Sequence, residues 1–266
     1  MPKQLSEQQI EAYRRDGGLF PVTVMSEAEA AEHRRRLEAA ETAHGNMHYR
    51  SKPYLVLSSA KEIAANAVLL DAVEDILGPD ILLWDSAYVI KEARDRRYVT
   101  WHQDLTYWGL DSDRLVTAWV ALTPATPDNG GMRFVPGSHL NGAYDHHDTH
   151  AADNLLHRGQ KVAEVDETAA VDMVLAPGQV SLHHGWVLHA SGPNPTGDRR
   201  IGLTVQYLAP SARQTLSDRE SATLVRGADR YGHFQPEPEF SADFAPEALA
   251  FQREAERLKH EIYDCA

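Results

Sequence analysis

Two short segments carry residue types that could do metal chemistry. In the first, WHQDLTYW (101–108), His102 and Asp104 are two apart, and on a strand that spacing sends an imidazole and a carboxylate to the same face. Thr106 continues that face, while Trp101, Gln103 and Leu105 take the other. Alone the pairing says little, because a histidine hydrogen-bonded to a nearby acid would account for it. In the second segment, LHHGWVLHASGPNPTGDRRIGLTVQY, His189 ends a short apolar strand and the turn PNPTGD leads into another. That next strand divides cleanly, with Arg200, Gly202, Thr204 and Gln206 on one side and Ile201, Leu203, Val205 and Tyr207 on the other. An arginine opening a small, polar face is costly to bury without an anion. A carboxylate, which a guanidinium binds through two parallel hydrogen bonds, would satisfy it. Arg199 reads as the solvated residue of the pair.

Two histidines and one carboxylate make the facial donor set of non-haem Fe(II) oxygenases, which leaves three adjacent coordination positions open. A 2-oxo acid fills two of them through its ketone and carboxylate, and dioxygen the third. The far carboxylate of that co-substrate then needs a cation, and Arg200, one hairpin beyond His189, stands in the right place. The logic holds only when all four residues are taken together.

Elements must position these residues. The first eighty residues read as helix: Ser6 with Gln9, Ser26 with Glu29 and Ser59 with Glu62 each have capping-box spacing. The third helix is expected over about 60–77, stopping at Gly78-Pro79. From residue 80 to about 210, the runs ILLWDSAYVI, RLVTAWVAL, MRFVPG, DMVLAPG, QVSLHHG and IGLTVQYLA read as strands, separated by turn signals. Many short strands without alternating helices indicate an antiparallel sandwich or barrel. Residues 140–170 are long and polar, as a functional lid or a disordered loop would be. The tail returns to helix over about 246–262. No repeat or low-complexity linker divides the chain, so 1–266 reads as one domain: a helical region 1–79, a strand-rich core 80–210 with the 140–170 insertion, and an extension 211–266.

Lys+Arg 26 against Asp+Glu 39 in 266 residues leaves a net charge of −13. An acidic surface repels phosphate backbones and anionic lipid, which argues against nucleic-acid and membrane partners and for a small-molecule substrate. The mean hydropathy of −0.45 is that of a soluble globular chain. Cys265 is the single cysteine and can close no internal disulfide, and MPKQLSEQQI lacks the apolar stretch of a signal peptide, so a cytoplasmic location is expected. No heptad seam decides between monomer and homodimer.

The motifs in this order resemble the phytanoyl-CoA dioxygenase family of Fe(II)/2-oxoglutarate oxygenases along most of the chain. LSEQQIEAYRRDGGLFPV looks like that family's N-terminal region, WHQD its metal motif, and TAWVALTPATPDNGGMRFVPGSH its central segment. HASGPNPTGDRR looks like its distal histidine and co-substrate arginine. The resemblance implies a mainly β fold, a double-stranded β-helix or jelly-roll (cupin-like) barrel buttressed by N- and C-terminal helices. It also implies Fe(II) held by His102, Asp104 and His189, and 2-oxoglutarate bound by Arg200 with help from Ser191. Trp119 and Thr204 would line the co-substrate pocket, and O2 is the remaining co-substrate. The implied reaction is hydroxylation of a C–H bond with release of succinate and CO2. Asp104 fills the position that related halogenases leave to chloride, so halogenation is not expected.

Substrate candidates come from the same segments. If the metal strand runs on, Trp108 shares the face of His102 and Asp104 while Tyr107 points away; both are candidates for the pocket. Alternation sends one of His183 and His184 into the cavity, and His183 is the candidate contact. Arg97 and Arg133 could meet an anionic substrate, and His146, His147, His150 and His157 could do so from a lid. No catalytic side chain beyond the metal centre is expected. The substrate is expected among amino acids, phosphonates, osmolytes and natural-product intermediates. Two other classes fit the triad: a cupin-like metal-binding protein without oxygenase activity, which would not need Arg200, and a zinc hydrolase or isomerase, which would work without oxygen.

Overall fold

The computed structural model describes residues 2–265. Ser6 and Ser26 cap α1 (Glu7–Asp16) and α2 (Glu27–His44), each hydroxyl accepting from the N3 backbone while Gln9 or Glu29 reaches back to the cap. Between them runs β1 (Gly18–Thr23). The signal over 60–77 resolves into two helices instead of one. α3 (Ser58–Ala64) stops, and α4 (Ala67–Leu77) restarts behind Asn66, whose side chain accepts from the Leu69 N–H. Asn66 offers the backbone a competing partner, which is why a helical pattern breaks there. Ser59 lies inside α3, 2.8 Å from His33 Nδ1, so its expected capping box does not form.

The strands follow as β2 (Ile81–Lys91), β3 (Val99–His102), β4 (Leu115–Ala121), β5 (Met132–Phe134), β6 (His146–Asp148), β7 (Gln160–Val162) and β8 (Val171–Asp172). Then come β9 (Gln179–His183), β10 (His189–Ser191), β11 (Arg200–Leu208), β12 (Ser221–Arg226), β13 (Gln235–Pro236) and the terminal helix α5 (Pro246–Cys265). A seven-stranded sheet has the order β1-β9-β4-β11-β2-β12-β13, and a four-stranded sheet the order β3-β10-β5-β8. The two sheets form a jelly roll with a cavity between them; among the described residues no strand pairing closes it into a complete barrel.

Three expectations shift. β1, β12 and β13 belong to the large sheet, so the strand core reaches beyond 80–210 on both sides. DMVLAPG contributes only Asp172 to a strand. Residues 140–170 are neither a bare loop nor disordered, because β6 and β7 pair antiparallel within them.

The outer face of the large sheet builds the main core. Ile201, Leu203, Val205 and Tyr207 of β11 lie with Val116, Ala118 and Val120 of β4 against Leu37, Ile63, Leu69 and Val73 of the helices. Each such buried aliphatic side chain is worth about 1.5–3 kcal/mol. That burial sets the register of β11, because a slip by one residue would turn Arg200 into the apolar layer. The opposite face of β11 is thereby committed to the cavity.

Candidate metal and co-substrate site

The cavity between the sheets has a volume of about 330 Å³, and His102, Asp104, His183, His189, Ser191 and Arg200 all line it. His102 and His189 are register partners on the adjacent strands β3 and β10, with ring centroids 4.1 Å apart. His102 Nδ1 lies 2.8 Å from the Thr100 carbonyl and His189 Nδ1 3.1 Å from the Val187 carbonyl. Donation to these carbonyls fixes one tautomer and turns each Nε2 lone pair toward the site. Asp104 Oδ1 is 3.3 Å from His102 Nε2 and 3.7 Å from His189 Nε2. The three donor atoms lie within 4.8 Å of one another, so they could converge on one ion.

Asp104 does not reach this position as the strand continuation expected for it. β3 ends at His102, Gln103 is extended, and Asp104 opens a 3-10 turn, Asp104–Tyr107. Thr106 therefore leaves the shared face. The turn is held by Gln103, fully buried, which donates to the carbonyls of Gly142 and Trp186 and accepts from the Tyr144 N–H. His146 accepts from the Gln103 N–H at 3.0 Å, so this insertion histidine anchors the metal segment.

Electrostatics favour a cation here. Burial opposes ionisation of Asp104, but the imidazoles of His189, His102 and His183 around it outweigh burial and hold the carboxyl well below its usual range. Burial, then the charge of His102, pushes His189 down to about 3, which leaves its Nε2 free to ligate at neutral pH.

Behind the triad, Arg200 is 2% exposed, and its Nε and Nη2 have no hydrogen-bond partner. Its guanidinium lies 5.1 Å from the Trp119 ring centroid. Gly202 makes this contact possible, since a Cβ there would fall 2.1 Å from Trp119 Cζ2. A buried guanidinium with unmet donors on a cavity is suited to pair an anion, and a carboxylate has the matching fork. Lys91, register partner of Arg200, donates to Ser191 Oγ at 2.6 Å and to the Gly192 carbonyl. Sequence reasoning passed over Lys91; its one signal was a lysine closing the apolar run ILLWDSAYVI, and only the pairing of β2 with β11 places it opposite Arg200. Thr204 lines the cavity and accepts from Gln206 Nε2 at 2.8 Å. Arg199 is not solvated: it meets Glu92 at 2.9 Å and Glu41 at 2.7 Å.

The other candidates separate. Trp108 lines the cavity, whereas Tyr107 packs under His146 and Arg158 and does not reach it. Arg97 pairs with Asp95 at 2.7 Å, and Arg133 lies over Trp101 and 3.2 Å from Glu167; neither lines the cavity. His184 turns away toward Asp113 and the His139 ring. His147 and His150 are exposed, while His157 reaches the cavity with Leu155 and Leu156.

One wall had no sequence signal. Glu256, Lys259, His260 and Tyr263 of α5 line the cavity, and Tyr49 joins them. The helix is pinned there by Lys259 Nζ to Asp85 at 2.7 Å, Gln252 Nε2 to the Ser51 carbonyl at 2.7 Å, and Trp108 Nε1 to Tyr263 OH at 3.0 Å.

Known proteins resemble this arrangement. The phytanoyl-CoA dioxygenase (PhyH) profile matches residues 1–202. A probable alpha-ketoglutarate-dependent hypophosphite dioxygenase of Stutzerimonas stutzeri is 29% identical over 162 residues, 60% of this chain and 56% of that protein. An ectoine dioxygenase of Sphingopyxis alaskensis is 28% identical over 167 residues, covering 57% and 54%. The chain thus spans about half the length of the curated relatives it matches. Among solved structures, the apo form of the non-heme monooxygenase ThoJ is 36% identical with a TM-score of 0.84, covering 96% of this chain and 97% of that one. The family profile runs from α1 into β11 and takes in His102, Asp104, His189 and Arg200, so the chain belongs to the phytanoyl-CoA dioxygenase family.

Proposed function

We propose that this chain is an Fe(II)- and 2-oxoglutarate-dependent dioxygenase that hydroxylates a C–H bond of a small molecule. The observation that carries the reading is Arg200, buried with two unmet donors on the cavity that also holds the three clustered metal donors. In this reading His102, His189 and Asp104 hold the iron, and Arg200 with Ser191 takes the far carboxylate of 2-oxoglutarate. When bound, iron and 2-oxoglutarate supply the activation of dioxygen that oxidises the substrate, with succinate and CO2 released.

The chain's own work is placement. Lys91 keeps the Ser191 hydroxyl toward the cavity, Trp119 covers the guanidinium, and Val89, Val99 and Met132 keep the surroundings apolar, which strengthens the pairing of the anion. Substrate enters against Leu155, Leu156 and α5, where Glu256, His157 and His260 offer polar contacts. α5 lies outside the span the family profile matches, so this wall is where the chain's own substrate preference resides. The pocket's mixture of aliphatic and ionisable side chains suits a polar metabolite of small size. Metal binding without oxygenase activity, or zinc hydrolysis, would leave the burial of Arg200 unexplained.

The test is an anaerobic titration with Fe(II) and 2-oxoglutarate, following the visible charge-transfer band of the chelate. A band in the wild type, lost in Asp104→Ala together with substrate-dependent succinate formation, is the expected result. Iron bound without a band would overturn the reading.

A further inference from the structure

Beside the three clustered donors lies a fourth histidine. His183 ends β9 opposite Thr117 of β4, and the alternation that turns His184 outward turns His183 into the cavity. Its side chain is 3% exposed, its ring centroid is 5.0 Å from that of His189, and its Nε2 is 3.7 Å from Asp104 Oδ2.

The carboxylate of Asp104 is thus divided. Oδ1 faces the two ligand histidines, at 3.3 and 3.7 Å, while Oδ2 faces His183. The division matters because a carboxylate can bind one ion through one oxygen or through both. Binding through both would occupy one of the three open positions that a bidentate co-substrate and dioxygen require. A donor on the second oxygen prevents that, as carboxylate ligands are commonly oriented by hydrogen bonds of their own. At 3.7 Å the His183 Nε2 stands just outside hydrogen-bond reach of Oδ2, close enough that a small side-chain adjustment makes it that donor. Its Nδ1 is buried without a partner, so no neighbour claims the proton for Nδ1 and the Nε2–H tautomer is free to form.

We propose that His183 is a positioning residue whose Nε2–H holds Asp104 Oδ2, so that Asp104 offers only Oδ1 to the metal. The inference rests on the metal-centre reading above and adds a role that a substrate contact would not have. His183 is distinct from a fourth ligand, because its Nε2 comes nearest to Oδ2 whereas His102 and His189 come nearest to Oδ1, and it lies outside the cluster of three donors.

The experiment uses Co(II) as probe, with its visible ligand-field spectrum read in wild type, His183→Leu and His183→Gln, followed by anaerobic 2-oxoglutarate titration of each Co(II) form. Wild type that binds no Co(II) would refute the metal-centre reading itself. Given binding, His183→Leu is expected to bind Co(II) about 10-fold more weakly. Its spectrum should shift toward higher coordination and its 2-oxoglutarate affinity should fall, while His183→Gln, which keeps an N–H donor, restores both. A spectrum and co-substrate affinity unchanged in His183→Leu would overturn the proposal. So would complete loss of Co(II), which would make His183 a ligand. If the leucine variant does not fold, His183→Phe, which keeps a ring, takes its place with the same outcomes.

Discussion

Replacing Arg200 with methionine should make the ligand-free protein more stable while removing its response to 2-oxoglutarate. Arg200 is 2% exposed with two unmet donors, and burial pushes its guanidinium well below its ordinary value, down to about 10. A drop of that size corresponds to about 3 kcal/mol spent on keeping the group charged. The folded value lies below the unfolded one, so the unfolded chain binds the extra proton from about pH 10 up to the ordinary guanidinium value; the penalty is fully present at pH 7 and is relieved only as pH rises through that window. Methionine keeps the length and removes the charge. Against the gain stand the lost contact with Trp119, about 1 kcal/mol, and the space left by the guanidinium, about another 1 kcal/mol. A net gain of about 1–2 kcal/mol should raise Tm by about 2–6 °C in thermal unfolding followed by circular dichroism. With saturating 2-oxoglutarate and Co(II) the ranking reverses. Losing one partner of a buried, hydrogen-bonded charge pair costs about 2–5 kcal/mol, so the variant should bind the co-substrate at least about 30-fold more weakly and show no co-substrate shift in Tm. A variant less stable than wild type that keeps the co-substrate shift would refute the argument that Arg200 is held in wait for an anion.

Gly202→Ala should act on the same pocket without touching a polar group: its Cβ would meet Trp119 Cζ2 at 2.1 Å, so the ring must move off Arg200. The expected cost is about 1–3 kcal/mol of stability with weaker 2-oxoglutarate binding by calorimetry, and unchanged binding would contradict the assigned packing. Burial, then the charge of Arg200, pushes Lys91 down to about 6, so at pH 7–8 it is largely neutral until an anion arrives. Because the unfolded chain holds that proton up to its ordinary value, ligand-free stability should rise with pH above 6, and co-substrate binding should take up a proton. Binding heats measured at pH 7.5 in buffers of different ionisation enthalpy check this; buffer-independent heats would exclude it. Lys259→Met should release α5 from Asp85, costing about 1–3 kcal/mol in urea unfolding. Faster amide exchange across α5 should accompany it, and unaltered exchange would show that other contacts hold the helix.

Much of the site was legible because ligand chemistry is local. His102 and Asp104 need only a short extended link, and Arg200 needs only an alternating strand whose other face is apolar; both facts stand in the sequence. The capping boxes at Ser6 and Ser26 were legible for the same reason, since every group involved lies within four residues. The box at Ser59 failed because a buried contact with His33, distant in sequence, took its hydroxyl. Thr106 left its expected face because the chain turns at Asp104, a turn set by Gln103 reaching Gly142 and Trp186.

What the sequence by itself pointed to is the family, the candidate donor residues and the faces of β9 and β11 that meet the cavity. These follow from residue type and period, and on β11 a slip of one residue would expose a core face, whereas at Asp104 the distant contacts of Gln103 overrode the period. Tertiary structure alone decided which side chains share the cavity. It brought α5, more than forty residues past Arg200, against the mouth through Lys259 and Tyr263, and it set Lys91 behind Ser191 and His183 beside Asp104. Such contacts depend on how the sheets and helices pack rather than on spacing along the chain, because a side chain carries its direction locally but meets its partner only when two distant backbones are brought together.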